Sequence, residues 1–441
     1  MFMSCYFITF SRKKEVLFCN FHQLLLSHIV RLCTFGTKIY SPPGKAVYSW
    51  TVSFRALGCY NETSKKSSGP ENGHTRKGVT VMKIPFNEKE MEVVAQMPAF
   101  GGGTIPVFNY PISTTELAKR TFCDKEALWI LNGSETGFFC PSVIPDHVAR
   151  GFVFEAVPTP REKFGGKDMF GLNWKYIDVA GGSMSEGKLF DDANDWREYV
   201  HFPDIDSWDW EGSAEMNKEY LASGPKILWM LNGCWFERLI SFMTFEGAAM
   251  ALLDDDQLDA IKELIHETTS LYMRIIDKCC QYYDFPGFCI HDDWGSQMAP
   301  FFSEAVAREV FLPEMKRFCD HVHSHGKFID LHSCGKGETR CGVFVDAGFD
   351  SWTPMAMNDT DKLWRDYGDK IVISVVCNEL EHPETASEEE LRAAARSFAA
   401  KYAKPDRPCV FSYMYSNPAY LTPAFREELY RASRIGCCGQ E

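Results

Sequence analysis

The chain has 441 residues, 45% hydrophobic and 14% aromatic, which is enough to bury a large core and too apolar for a disordered chain. A formal net charge of -14 argues against a nucleic-acid partner, for which a basic face is expected. The charge is uneven, with 11 Lys and Arg against 3 Asp and Glu in residues 1 to 81, leaving 35 against 57 for residues 82 to 441. The 17 cysteines are odd in number and several sit inside apolar segments, such as Cys279, Cys289 and Cys319, so they read as buried thiols of a reducing cytoplasm. The apolar stretch from Val16 to Phe35 is interrupted by Asn20, His22, Gln23, His28 and Arg31. It is a poor membrane span, and it lacks the small-residue cleavage site of a signal peptide.

Residues 1 to 81 show no clear amphipathic period, and the Ser/Gly/Lys-rich tract from Asn61 to Lys77 has the composition of a disordered extension. A purine-rich coding run for Lys77-Gly78-Val79, resembling a bacterial ribosome-binding site, also allows a natural start at Met82 with the earlier residues as translated leader. From Met82 onward the pattern is that of a globular domain. Gly101 to Gly103 precede a strand instead of lying between strand and helix, so they predict a flexible loop and no phosphate cradle. A strand is expected from Thr104, a helix from Thr114, and a hairpin or lid over the Gly-rich Phe164 to Ser185.

After that, strand, loop and helix alternate. Strands are expected at Lys226 to Leu231, Phe288 to His291, Phe328 to Gly335, Phe349 to Pro354, Ile371 to Cys377 and Cys409 to Tyr415. A long amphipathic helix covers Asp256 to Tyr283, and another runs from Glu304 to His325. Ser387 and Glu390 form a capping box, and Thr422-Pro423 is a cap with proline at the first helical position. One strand per 25 to 40 residues predicts a parallel α/β fold, a single (β/α)8 TIM-type barrel over residues 82 to 441. Polar residues gather at the strand C-terminal ends, where such a barrel keeps its active site.

The segment Phe328-Ile-Asp-Leu-His-Ser-Cys-Gly335 is the strongest of these. Residues two apart on a strand share a face, so His332 and Cys334 point the same way and offer an imidazole nitrogen and a sulfur to a metal such as zinc. A buried histidine bonded to a backbone carbonyl is the plainer reading of His332, and Cys377 is as readily a small buried hydrophobe. Asp292 and Asp293 also suit helix capping, Glu237 and Arg238 a surface pair, and Trp235, Trp294 and Trp352 core or pocket wall.

The segments His291-Asp-Asp-Trp-Gly-Ser-Gln297, Leu331-His-Ser-Cys-Gly335, Ala347-Gly-Phe-Asp-Ser-Trp-Thr-Pro354 and Asp366-Tyr-Gly-Asp-Lys-Ile371 resemble the uroporphyrinogen decarboxylase superfamily in order and context. The resemblance implies one distorted TIM barrel and two candidate chemistries. Haem-pathway decarboxylases carry an arginine-rich segment near the first strand, whereas Ile105 to Ser113 here contains no arginine. The other branch comprises zinc-dependent methyltransferases that work with corrinoid proteins, and His332 and Cys334 match its first two zinc ligands. A cysteine usually follows the last strand of that branch, but here the place reads Ser412-Tyr-Met-Tyr-Ser-Asn-Pro418. Cys377 is the expected substitute, with Asp293 or Glu379 as oxygen ligands.

The resemblance therefore implies transfer of a methyl group between a corrinoid protein and a small thiol, alcohol or methyl ether. Zinc is the expected cofactor, Asp293 and Asp292 the catalytic residues, and Asn109, Glu237, Trp294 and Trp352 the substrate contacts. Asp330-Leu-His332-Ser-Cys-Gly335 mimics a cobalamin-binding pattern, but each Gly-Gly pair lies upstream, so the corrinoid is expected on a partner protein. A metal-free decarboxylase or lyase, and a non-catalytic binding barrel, are the rival readings. A bacterial cytoplasmic protein without membrane attachment is expected, and homo-oligomerisation is left open.

Overall fold

The computed structural model describes residues 84–98, 104–179 and 181–438. The expected extension over residues 1 to 81 and the glycine loop at 101 to 103 lie outside them. The described chain opens with an antiparallel hairpin, β1 (Val93–Pro98) and β2 (Thr104–Phe108), followed by α1 (Thr114–Lys119), whose N-cap Ser113 accepts from the Glu116 amide. Next come β3 (Gly137–Phe139) and α2 (Pro145–Arg150). The segment expected to form a hairpin is a three-stranded antiparallel sheet, β4 (Gly165–Lys167), β5 (Asn173–Ile177) and β6 (Gly182–Glu186).

The alternating part follows as α3 (Trp210–Ala222), β7 (Lys226–Met230), α4 (Phe236–Ala251), α5 (Leu258–Tyr282), β8 (Gly287–His291), α6 (Leu312–Ser324) and β9 (Phe328–Ser333). It continues through α7 (Cys341–Ala347), β10 (Ser351–Pro354), α8 (Thr360–Tyr367), β11 (Val372–Val375), α9 (Glu388–Tyr402), β12 (Cys409–Phe411) and α10 (Pro423–Cys438). The Ser387–Glu390 capping box is formed at the start of α9. Among the described residues, no helix is long and apolar enough to cross a membrane.

Seven strands form one curled parallel sheet in the order β12-β11-β10-β9-β8-β7-β3. The place of an eighth strand is taken by a single residue, Leu131, which bridges Val410 of β12 in parallel and accepts a hydrogen bond from the Phe411 amide at 2.8 Å. The sequence stops that strand locally. Asn132 turns its Oδ1 onto the Ser134 amide at 3.2 Å and Gly133 takes φ +86°, so the backbone leaves the extended region after Leu131.

Side-chain alternation then sorts the strands into two faces. Leu228, Met230, Phe288, Ile290, Ile329, Leu331, Trp352, Ile373, Val375, Cys409 and Phe411 belong to the main core cluster, the layer between sheet and helices. Trp229, Asp330, Thr353, Ser374 and Ser412 line the barrel interior. The interior thus carries polar side chains beside apolar ones, with Ser351 at the start of β10 bonded to Asp330 at 2.6 Å.

Candidate metal centre

Two neighbouring strands deliver the site. In the β8–β9 register His291 stands opposite His332, and their rings lie 5.0 Å apart on the interior side. Cys334 follows two residues after His332, and Asp293 two residues after His291. Ligand atoms of His291, Asp293, His332 and Cys334 all lie within 4.8 Å of one another. Both histidines are fully buried and Cys334 is 2% exposed, while the Asp293 side chain keeps 25% of its surface. The cluster is therefore sealed on its strand side and reachable from the mouth.

Tight turns allow this convergence. Gly335 adopts φ +83°, and a Cβ there would meet the Gly295 carbonyl oxygen at 1.9 Å, so the loops after β8 and β9 touch backbone to backbone. The Asp293 carboxylate ties them further by accepting the Cys334 amide at 2.7 Å. Gly233 does the same for the loop after β7, because any Cβ there would meet the His291 carbonyl oxygen at 2.1 Å.

The two imidazoles are oriented from behind. His332 Nδ1 donates to the Thr353 carbonyl at 2.8 Å, which leaves the Nε2 lone pair facing Cys334 Sγ at 3.3 Å and the Tyr415 hydroxyl at 3.1 Å. Burial, aided by the charge of His291, pushes the His332 pKa down to about 3 and keeps the ring neutral. His291 Nδ1 donates to Glu237 Oε2 at 2.6 Å, and its Nε2 faces Asp293 at 3.4 Å and Cys334 Sγ at 3.9 Å. Burial opposes the charge on His291, but the carboxylates of Asp293 and Glu237 outweigh it and raise the pKa to about 9. Glu237 is itself held by Arg150 at 2.7 Å.

Each ring thus turns Nε2 inward and ties Nδ1 to an acceptor, the arrangement by which ligand histidines are fixed in tautomer and angle. Two imidazoles, a sulfur and a carboxylate form a donor set suited to zinc.

Other expected site residues stand elsewhere. Asp292 points opposite to His291 and Asp293, and its carboxylate accepts from the amides of Trp235, Phe236 and Glu237 at 3.0, 3.1 and 3.3 Å and from Trp294 Nε1 at 2.8 Å. It caps α4, the helix that follows the neighbouring strand β7, instead of the helix after its own strand. Burial and Glu237 together push its carboxyl up to about 8. Cys377 is outside the ligand cluster because parity puts it on the outer face, in the core shared with Ile373 and Val375. Glu379 accepts from Ser397 of α9. Trp352 packs edge-on against Phe344 of α7, and Trp294 lies among Phe302, Phe311 and Phe344. Asn109 is exposed at the end of the β1–β2 hairpin and donates to the Lys89 carbonyl at 3.4 Å.

His291, Tyr415 and Arg150 are site residues that carry no assigned role in the sequence pattern. His291 was legible from its own strand, since it shares a face with Cys289 and Asp293, whereas the register that brings it beside His332 is set across strands. Tyr415 sits after the last strand, in the segment where the resemblance places a cysteine. Its ring stacks on His332 with centroids 5.7 Å apart.

No family model matches the chain, and no curated protein matches it significantly. Among solved structures the chain is similar to a methyltransferase from Methanosarcina mazei, at 13% identity and a TM-score of 0.49, over 73% of this chain and 98% of that one.

Proposed function

We propose that this barrel is a zinc-dependent methyltransferase that moves a methyl group between a corrinoid protein and a small thiol, alcohol or methyl ether. The observation that carries the reading is the inward convergence of His291, His332, Cys334 and Asp293, with Glu237 and the Thr353 carbonyl fixing the two rings from behind. The reading also rests on the resemblance of the His332-x-Cys334 strand end to corrinoid-linked methyltransferases.

Zinc held by His291, His332 and Cys334 would act there as a Lewis acid, acidifying a thiol acceptor or polarising the oxygen of a methyl donor. The chain's own residues prepare that chemistry. His332, neutral and with its Nε2 lone pair inward, is already in the ligating state, whereas His291 gives up a proton when it ligates. Asp293, the one partly exposed member, has its carboxyl raised by burial and pulled back by His291. It is placed either to complete the donor set or to take the proton that a thiol sheds. Tyr415 supplies a hydroxyl beside His332 and an aromatic wall at the entrance. Arg150, the cation behind Glu237, bonds Glu237 and Asn232 and is committed to orienting the site, which disfavours the substrate-anchoring role that a decarboxylase requires.

The test is an anaerobic assay of the zinc-loaded full chain with methylcobalamin and a panel of small thiols, following loss of the methyl–cobalt absorbance. Thiol-dependent demethylation that disappears in Cys334→Ala supports the reading. Its reverse, methylation of cobalt(I) cobalamin by methyl ethers or methanol, identifies the other direction. A folded, zinc-loaded chain that does neither contradicts it.

A further inference from the structure

A second group of metal-competent side chains lies at the other end of the barrel. Asp277 stands near the C-terminal end of α5, and His321 and His325 occupy the last turn and C-cap of α6. These helix ends feed the starts of β8 and β9, the end opposite the mouth. We propose that Asp277, His321 and His325 form a surface site for a borderline divalent transition-metal ion such as Zn²⁺, Ni²⁺ or Cu²⁺, stapling α5 to α6.

The two histidines are four residues apart and so share one helix face. Their rings are 5.1 Å apart and edge-on, and each Nε2 lies 2.8 Å from the same oxygen, Asp277 Oδ1. His321 Nε2 also lies 3.2 Å from the Met273 carbonyl oxygen. All three ligand atoms fall within 4.8 Å of one another. Ligands about 2.0–2.1 Å from a tetrahedral ion are separated by about 3.3 Å, so small side-chain rotations open the present arrangement enough to admit one.

Charge and access favour the same reading. The adjacent cations Arg274 and Lys278 turn to Asp206 at 3.6 and 2.6 Å, which leaves the Asp277 carboxylate to the histidines. The His321 and His325 side chains are 21% and 29% exposed, so an ion reaches them without unfolding and keeps open positions for water. The site also sits at the C-terminal, negative end of the α6 dipole, which attracts a cation. Two imidazoles and one carboxylate suit copper, nickel and zinc better than magnesium or calcium.

Equilibrium dialysis of the metal-stripped full chain against Ni²⁺ tests this. The expected result is one nickel equivalent that survives Cys334→Ala, is lost in the His321→Ala/His325→Ala double variant, and binds about tenfold more weakly in Asp277→Asn. Asp277→Asn changes one exposed atom and guards against a folding defect in the double variant. Equal nickel content in parent and folded double variant, or unchanged nickel affinity in Asp277→Asn, overturns the proposal.

Discussion

Two buried clusters of charged groups meet at the start of α4, where Arg238 belongs to one and its neighbour Glu237 supports the other. Around Arg238, a fully buried guanidinium meets the carboxylates of Asp146 and Asp168, at 3.1 Å for the latter, together with Tyr272 and the Asn232 carbonyl. Phe170 and Phe242 stack over the cation at 4.8 and 5.6 Å. The cation that balances those carboxylates is part of the chain. At the barrel mouth the ligand atoms of His291, His332, Cys334 and Asp293 instead converge within 4.8 Å of one another, with the cation Arg150 set behind Glu237. The first cluster ties elements of the fold together, and the second is the one for which a metal ion is proposed.

That contrast is sharpened by breaking each side. Arg238→Met leaves two buried carboxylates without their cation and is expected to cost about 3–5 kcal/mol of unfolding free energy, read by denaturant titration. The folded fraction should keep the parent's zinc content. A loss of zinc with unchanged stability would merge the two clusters into one functional unit.

Removing an outer support at the mouth has a smaller effect of the opposite kind. Glu237→Gln is expected to weaken zinc binding by about 10–100-fold in chelator-buffered zinc above pH 9, where the His291 proton no longer competes, with little change in fold. Acidity probes the same place in the parent. Ligation displaces a proton from His291, whose pKa is raised to about 9, and one from the Cys334 thiol, so zinc affinity should climb by at least about tenfold per pH unit from pH 7 to 9, and the His291 share of that slope should disappear above pH 9. The sign follows from competition, since the protonated ring predominates below pH 9. In Glu237→Gln the His291 share of the slope should disappear at lower pH. A pH profile of the same shape in parent and Glu237→Gln would place His291 outside the ligand set.

Cys377→Ala should have the smallest effect. It trims one buried sulfur from the outer core and is expected to cost about 1 kcal/mol of stability without altering zinc content.

Much of the barrel is legible because alternation and helix caps are local. The parallel α/β order, the capping box at Ser387 and the shared face of His332 and Cys334 all follow from short-range pattern. The same alternation also places Cys377 with Ile373 and Val375, and Trp352 opposite to Thr353, so the outward faces of both follow from parity along their own strands. What local pattern does not contain is register and reach. The β8–β9 alignment puts His291 beside His332, Glu237 comes back from the start of α4 to hold that ring, and Asp292 reaches to the same helix to cap it. The eighth strand shrinks to Leu131 because a three-residue turn interrupts it, a detail that a count of repeats overlooks.

The most direct measurement is zinc per chain by elemental analysis, comparing the full-length parent with its Cys334→Ala and Cys377→Ala variants after identical loading and desalting. The account predicts that Cys377→Ala matches the parent and Cys334→Ala holds one zinc fewer. A Cys334→Ala chain with the parent's zinc, or a Cys377→Ala chain that has lost one, would contradict a centre built on His291, Asp293, His332 and Cys334.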